Sequence, residues 1–175
     1  MNEAGADFSK LNIVGSDGSG IAGLSDEVGK NKVNLGWEFY GWAIIKALQD
    51  GYDLNYMPLA DLDNRLDYYT PVIITNKKMI EKNSDTVKKF MEATKKGYEY
   101  AIDHPSKAAE ILHEDALSDT DLKFLKESQK YLSSQYAKDA DSWGVMKDSV
   151  WDNYTDFMYE TGSVSYTHLR AHETS

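Results

Sequence analysis

The chain has 175 residues, a formal net charge of −10 and no cysteine. A chain of this length is long enough to bury one hydrophobic core, but its acidity argues against nucleic acid and anionic membranes as partners, because both attract clustered Lys and Arg. Without cysteine there is no disulfide, thiolate metal site or cysteine nucleophile. The longest apolar run is far shorter than a bilayer span, and the N-terminus MNEAGADFSK is too polar and acidic for a signal peptide.

Four segments in the first half of the chain have the composition of β-strands. They are rich in β-branched or aromatic residues and are closed by Gly, Pro or Asn. They span 11–15, 32–36, 53–57 and 69–75. Between the second and third of them the pattern predicts an amphipathic helix, with Ile44, Ile45 and Leu48 on one face and an end at Gly51.

The chain from Asn76 onward has helical periodicity. Asn76 and Ser84 are in position to cap two helices, and Pro105 predicts the first turn of a third, because proline is tolerated there. Two more helices are predicted over 118–132, with leucines on one face, and over 142–162, ended by a glycine. Strands followed by helices predict an α/β fold with a helix-rich C-terminal half.

Aromatic residues are concentrated between the second predicted strand and the helix that follows it, at Trp37, Phe39, Tyr40 and Trp42. Ligands bind at the carboxyl ends of strands in open α/β sheets, and stacked rings with a few polar groups suit a flat organic molecule. In a helix, Trp37 and Tyr40 would share one face and Phe39 and Trp42 another. We expect the first pair, with Tyr69 nearby, to line a groove, although the same rings would also suit a core corner.

Catalytic motifs are missing. There is no Gly-x-Ser-x-Gly elbow, phosphate loop or His-Glu-x-x-His. His104 and His113 lie near predicted helix ends, where surface roles are expected, and the aspartates of 59–67 lack the glycine and distal glutamate of a calcium loop. The sequence therefore favours binding over turnover, with no cofactor and no metal.

The segment 165–175 resembles adaptor sequence and is expected not to pack.

Two segments, WEFYGW and DYYTPVIITN, are similar to the substrate-binding proteins of ABC importers for thiamine pyrimidine precursors, the ThiY/SsuA-like group with the periplasmic-binding-protein type II fold. The run DTVKKFMEATKKGYEYAIDHPSKAAEIL resembles a helix pair of that family. The resemblance covers residues 7 to about 164 and implies two α/β lobes that close on a ligand. In this interpretation the chain is a C-terminal fragment: residues 1–67 form part of the second lobe, 68–164 belong to the first lobe, and 165–175 are a non-native disordered tail.

The resemblance also implies a site and partners. Trp37, Glu38, Phe39, Tyr40, Trp42 and Tyr69 are the residues expected to bind a thiamine pyrimidine precursor or a similar aromatic heterocycle. The expected protein partners are an ABC permease and ATPase. The full-length protein would lie outside the cytoplasmic membrane, in the periplasm or as a cell-surface lipoprotein held by an N-terminal anchor missing here. An acidic residue often follows the second Trp in this family, whereas this chain has Ala43; Glu38 is a candidate substitute.

Two other interpretations stay open. A pyrimidine-precursor synthase has the same superfold, and fold alone does not decide function. That branch is associated with a cysteine-rich iron motif and a cofactor-bound lysine, and this chain has no cysteine. The other interpretation is a binding protein for a different small solute, such as a sulfonate or an amino acid.

Overall fold

A computed structural model of the chain describes residues 7–13 and 35–165, and in that part the secondary structure is helical. Seven α-helices are present there, together with 3₁₀ turns at Phe8–Lys10 and Asn64–Leu66 and a π-helical turn at Tyr40–Ile44. In chain order the α-helices are α1 (Ile45–Gln49), α2 (Leu59–Leu62), α3 (Lys77–Lys82), α4 (Ser84–Asp103), α5 (Pro105–Asp115), α6 (Leu122–Ser133) and α7 (Asp148–Glu160). None of these described helices is both long and apolar enough to cross a bilayer.

The predicted strands are absent where the structure can be compared with them. Segments 53–57 and 69–75 are irregular, and residues 11–13 of the first predicted strand are also irregular. Strand 32–36 and the end of strand 11–15 fall largely outside the described residues. A strand is defined by its pairing with a neighbouring strand, and in the described part neither 53–57 nor 69–75 belongs to a strand. The helix-rich C-terminal half is confirmed, whereas the sheet half of the α/β prediction is not.

Contacts divide the chain into two compact units. The first consists of Met1–Leu54 with Ala109–Leu132, and the second of Asn55–Ala108 with Ser133–Ser175. The division at residues 67 and 68 that the family resemblance implies stays a prediction. So does the tail assignment, because residues 166–175 lie outside the described part.

Local signals account for several helix ends. The Asn76 side chain accepts a hydrogen bond from the Met79 N–H at 2.8 Å, which confirms it as the cap of α3. Pro105 is the first residue of α5, as predicted. Ser84 does not cap α4: it is that helix's first residue, and Asn83 precedes it without a side-chain cap. Gly51 follows α1 with φ of 87°, the left-handed conformation that ends helices at glycine.

The last helix is shorter than predicted. It begins at Asp148 rather than near residue 142, and it is followed by Gly162 with φ of 72°. The physical reason is Gly144, whose φ of 88° is incompatible with a continuing right-handed helix. Met146, within the predicted range, is therefore outside the helix and 45% exposed.

The core of the first unit is small. Ala109 of α5 and Phe124 and Leu125 of α6 are at most 2% exposed, and Ile45 and Leu117 pack against them. An ion pair of 2.7 Å between the Lys126 ammonium and the Glu110 carboxylate also joins α5 to α6. This cluster fixes α6 in the unit and so determines which of its faces meets the aromatic segment.

In the second unit, residues 63–69 lie along one stripe of α7. The stripe is formed by Trp151, Tyr154, Phe157 and Glu160, which are three residues apart and therefore share a face. The Arg65 guanidinium lies 5.2 Å from the centre of the Phe157 ring and 2.5 Å from the Glu160 carboxylate. The Tyr68 ring stacks on Tyr154 at 4.2 Å, and the Tyr69 ring lies 5.9 Å from Trp151.

Arg65 is also bound by Asp63. Its guanidinium Nη2 lies 2.6 Å from the Asp63 carboxylate, and Nε donates to both carboxylate oxygens. These hydrogen bonds, with one from the Arg65 backbone N–H, lower the pKa of Asp63 from 3.8 to about 2. A carboxyl whose pKa is lowered by folding stabilises the folded state above its unfolded pKa. That contribution disappears as the pH falls from 3.8 toward 2.

Asp63→Asn should therefore make the second unit less sensitive to acid. Asparagine keeps a side-chain oxygen for the turn at Asn64–Leu66 but removes the charge that binds Arg65. Urea unfolding at about pH 5 and about pH 2.5 should show a smaller loss of stability in the variant than in the wild type. Asp67→Asn, at a neighbouring aspartate, is the matched control. Equal acid sensitivity of wild type and Asp63→Asn would contradict the assignment.

Candidate functional site

The aromatic segment of the first unit begins with a π-helical turn. Phe39 is extended, with φ of −87° and ψ of 122°. Its carbonyl oxygen accepts hydrogen bonds from the Ala43 N–H at 3.0 Å and from the Ile44 N–H at 3.4 Å. The second bond joins residues five positions apart, whereas an α-helical bond joins residues four apart, so the turn is wider than an α-helical turn. Turns of this kind are frequent at functional sites.

One face of α6 lies against this turn. The Phe124 ring meets Trp42 edge-on, with ring centres 4.7 Å apart. The Ser128 hydroxyl donates a hydrogen bond to the Gly41 carbonyl oxygen. The Tyr131 ring lies 4.6 Å from Tyr40 at an interplanar angle of 42°. The three α6 residues are four and three positions apart, so they project from the same side of the helix.

Gly41 allows α6 to approach this closely. A Cβ atom at Gly41 would lie 2.6 Å from Leu132 Cδ2 and 3.3 Å from Tyr131 Cδ1. A side chain at this position would have to displace both neighbours, so the glycine favours the close contact between the turn and the helix.

The turn, α1 and α6 enclose an open groove within the first unit. Its volume is about 500 Å³, which falls in the range of small-molecule sites. It is lined by Tyr40, Ile45, Leu48, Gln49, Glu127, Lys130 and Tyr131. These residues supply two aromatic rings and two aliphatic side chains, together with an amide, a carboxylate and an ammonium group. Such a lining suits a small flat molecule with a polar edge.

A family model described as NMT1/THI5 like matches residues 1–108, which is more than half of the chain. The chain belongs to the NMT1/THI5-like family. This match confirms the resemblance seen in the sequence. The family has the periplasmic-binding-protein type II fold, and membership indicates a solute-binding or related protein. The comparison with curated proteins finds no match.

The family match covers only part of the groove. Residues 1–108 include the π-helical turn and α1, so Tyr40 and Leu48 lie within the NMT1/THI5-like match. Glu127, Lys130 and Tyr131 are on α6, beyond its end. The α6 wall of the groove is therefore described by this structure and not by the family match.

The residues predicted to bind a ligand occupy different environments in this NMT1/THI5-like chain. Tyr40 lines the groove, and Trp42 packs on Phe124 while staying 46% exposed. Trp37 and Phe39 are 67% and 63% exposed. Glu38, between them, is partly buried, and this burial raises the pKa of its carboxyl group.

Tyr69, the sixth predicted residue, belongs to the second unit. Its hydroxyl oxygen accepts a hydrogen bond from the Lys147 N–H at 2.9 Å, next to the start of α7. An amide N–H can only donate, so the phenolic proton of Tyr69 is directed elsewhere. Its role in ligand binding stays a prediction, as do the roles of the other five residues.

The sequence did not identify the α6 wall. The predicted stripe of that helix was drawn through its leucines, of which Leu125 is buried and Leu132 lies beside Gly41. It left out the Phe124, Ser128 and Tyr131 side chains that also meet the turn. Their helical spacing could have revealed this face from the sequence. It was missed because a serine is polar and interrupts an otherwise apolar pattern. Within residues 7–13 and 35–165, no group of three or more His, Asp or Glu side chains is arranged to hold a metal ion.

Proposed function

We propose that this NMT1/THI5-like protein is the solute-binding component of an ABC importer and that it binds a thiamine pyrimidine precursor or a similar aromatic heterocycle. The observation that carries the proposal is the pairing of Tyr40 with Tyr131 beside an open groove of about 500 Å³ in a chain of this family.

The groove suits a ring for two reasons. Tyr40 and Tyr131 offer aromatic surface against which a flat ligand gains stacking and burial energy. Ile45 and Leu48 extend that surface with aliphatic carbon. Gln49 and Glu127 bring hydrogen-bonding groups to the same groove, and such groups give a small-molecule site its orientation and specificity.

In the proposed role the protein binds its ligand and releases it unchanged, so it is not an enzyme. Its partners would be a permease and an ATPase that recognise the ligand-bound form, since ligand-driven closure is how such proteins signal occupancy. The protein would work outside the cytoplasmic membrane. The absence of cysteine from the sequence favours this choice over a synthase, because the resemblance associates the synthase branch with a cysteine-rich iron motif.

Tyr40→Ala should weaken binding of the 175-residue protein to 4-aminopyrimidine, used as the probe. The loss of stacking and buried area corresponds to roughly 1–3 kcal/mol, or about 5- to 150-fold in Kd. Binding can be followed by quenching of tryptophan fluorescence, because Trp42 lies on the same turn as Tyr40. Melting temperature should change less than affinity, because Tyr40 is only partly buried.

Tyr100→Ala is the matched control, since Tyr100 is 44% exposed and belongs to the second unit. It should leave the Kd unchanged. The proposal fails if neither pyrimidines nor other heterocycles quench the wild type, or if Tyr40→Ala binds the probe as tightly as Tyr100→Ala does.

A further inference from the structure

Ser128 is a buried polar residue in an otherwise apolar part of the first unit. Its side chain is 3% exposed and belongs to the same helix as the buried Phe124 and Leu125. A hydroxyl group at such a position needs a hydrogen-bond partner, and Ser128 donates to the Gly41 carbonyl oxygen, 87 residues away along the chain. Alanine would fill nearly the same space with no polar group to satisfy, so packing alone does not explain a serine here.

The partner of Ser128 lies in the π-helical turn. The turn's own five-residue hydrogen bond, from the Ile44 N–H to the Phe39 carbonyl oxygen, is long at 3.4 Å, and π-helical geometry is rarely adopted. The Ser128 hydroxyl, which donates to the Gly41 carbonyl oxygen, therefore adds a hydrogen bond to a turn whose five-residue backbone bond is long. It holds the Gly41–Trp42 peptide, which lies one residue beyond Tyr40.

Ser128 and Tyr131 act on adjacent residues of the turn. Tyr131, three residues after Ser128 on the same face of α6, contacts the Tyr40 ring, while Ser128 holds the Gly41 carbonyl. The orientation of Tyr40 is thus set from the backbone side and from the ring side by one helix. That helix is in turn fixed by the buried cluster of Ala109, Phe124 and Leu125.

We infer that Ser128 is a positioning residue for Tyr40: it locks the π-helical turn so that the Tyr40 ring faces the groove before a ligand arrives. Preorganisation of this kind raises affinity because the ring is already ordered in the free protein, so binding does not have to supply the free energy of ordering it. The affinity consequence rests on the proposed function, whereas the orientation of the ring does not.

The affinity test is a double-mutant cycle with 4-aminopyrimidine as the probe. Ser128→Ala should weaken binding by about three- to tenfold, the range expected for one hydrogen bond. In the Tyr40→Ala background the same substitution should have no further effect, because its influence passes through the tyrosine. Leu117→Val is the structural control: it loosens the same core and should lower the melting temperature without changing Kd. The inference is overturned if Ser128→Ala leaves Kd unchanged or weakens Tyr40→Ala by the same factor as the wild type.

The second test needs no ligand, so it separates this inference from the proposed function. The protein is labelled with 3-fluorotyrosine, and the Tyr40 resonance is assigned by its loss in Tyr40→Phe. Ser128→Ala should shift or broaden that ¹⁹F signal, and Leu117→Val should not. A shifted signal supports the inference even if no heterocycle binds, and a Tyr40 signal that Ser128→Ala leaves unchanged overturns it.

Discussion

Leu125→Ala should lower the free energy of unfolding of the first unit by about 2–5 kcal/mol, the cost of a cavity at a fully buried leucine. Leu125 is 2% exposed and belongs to the small cluster with Ala109 and Phe124.

The measurement is urea unfolding followed by circular dichroism and, separately, by tryptophan fluorescence. Trp42 lies 4.7 Å from Phe124 and reports on the same part of the unit. Leu112→Ala is the matched control, because Leu112 is 40% exposed and belongs to the same unit. It should cost less than about 1 kcal/mol. Equal losses in the two variants would mean that α6 is not packed as described.

Gly41→Val should both destabilise the first unit and weaken ligand binding. A Cβ atom at this position would already lie 2.6 Å from Leu132 Cδ2. Alanine would be tolerated if the end of the Leu132 side chain turned away, but valine adds two carbons at a position where the Cβ atom alone already lies 3.3 Å from Tyr131 Cδ1. Overpacking of this kind costs about 1–3 kcal/mol. The displaced α6 would separate Ser128 and Tyr131 from the turn. The ¹⁹F resonance of Tyr40 and the Kd for 4-aminopyrimidine should therefore change together.

The control for this variant is the same substitution at another glycine. Gly97 lies within α4, and a Cβ there would have no neighbour within 4 Å. Gly97→Val should therefore change stability by no more than about 0.5 kcal/mol. If thermal unfolding shows that Gly41→Val is as harmless as Gly97→Val, the close approach of α6 to the turn is wrong.

Several helix ends were predictable because their signals are local. The Asn76 cap acts on an N–H three residues away, and Pro105 and Gly51 act through their own backbone angles. The start of the last helix was missed for an equally local reason. Gly144 adopts a left-handed conformation. Glycine can adopt either a left-handed or a right-handed conformation, and the sequence alone does not show which one it adopts.

The strand predictions failed at 53–57 and 69–75 because a strand depends on a partner. A β-branched run states only that a segment would suit a sheet. Ile73 and Ile74 are 48% and 85% exposed, so in the described part this run is neither paired nor covered. No property of the run itself distinguishes that outcome from a buried strand.

The sequence by itself determined the family, the helical second half and the aromatic segment that contains Tyr40. These follow from short motifs and from periodicity, which are properties of neighbouring residues. Tertiary structure alone decided that Tyr40 lines a groove, that Trp42 packs on Phe124 and that α6 supplies the other wall. It also decided that a buried serine holds a carbonyl 87 residues away. Contacts over such distances depend on how α6 packs, and that is set by the shapes of Gly41, Leu132 and the buried cluster together rather than by any local pattern.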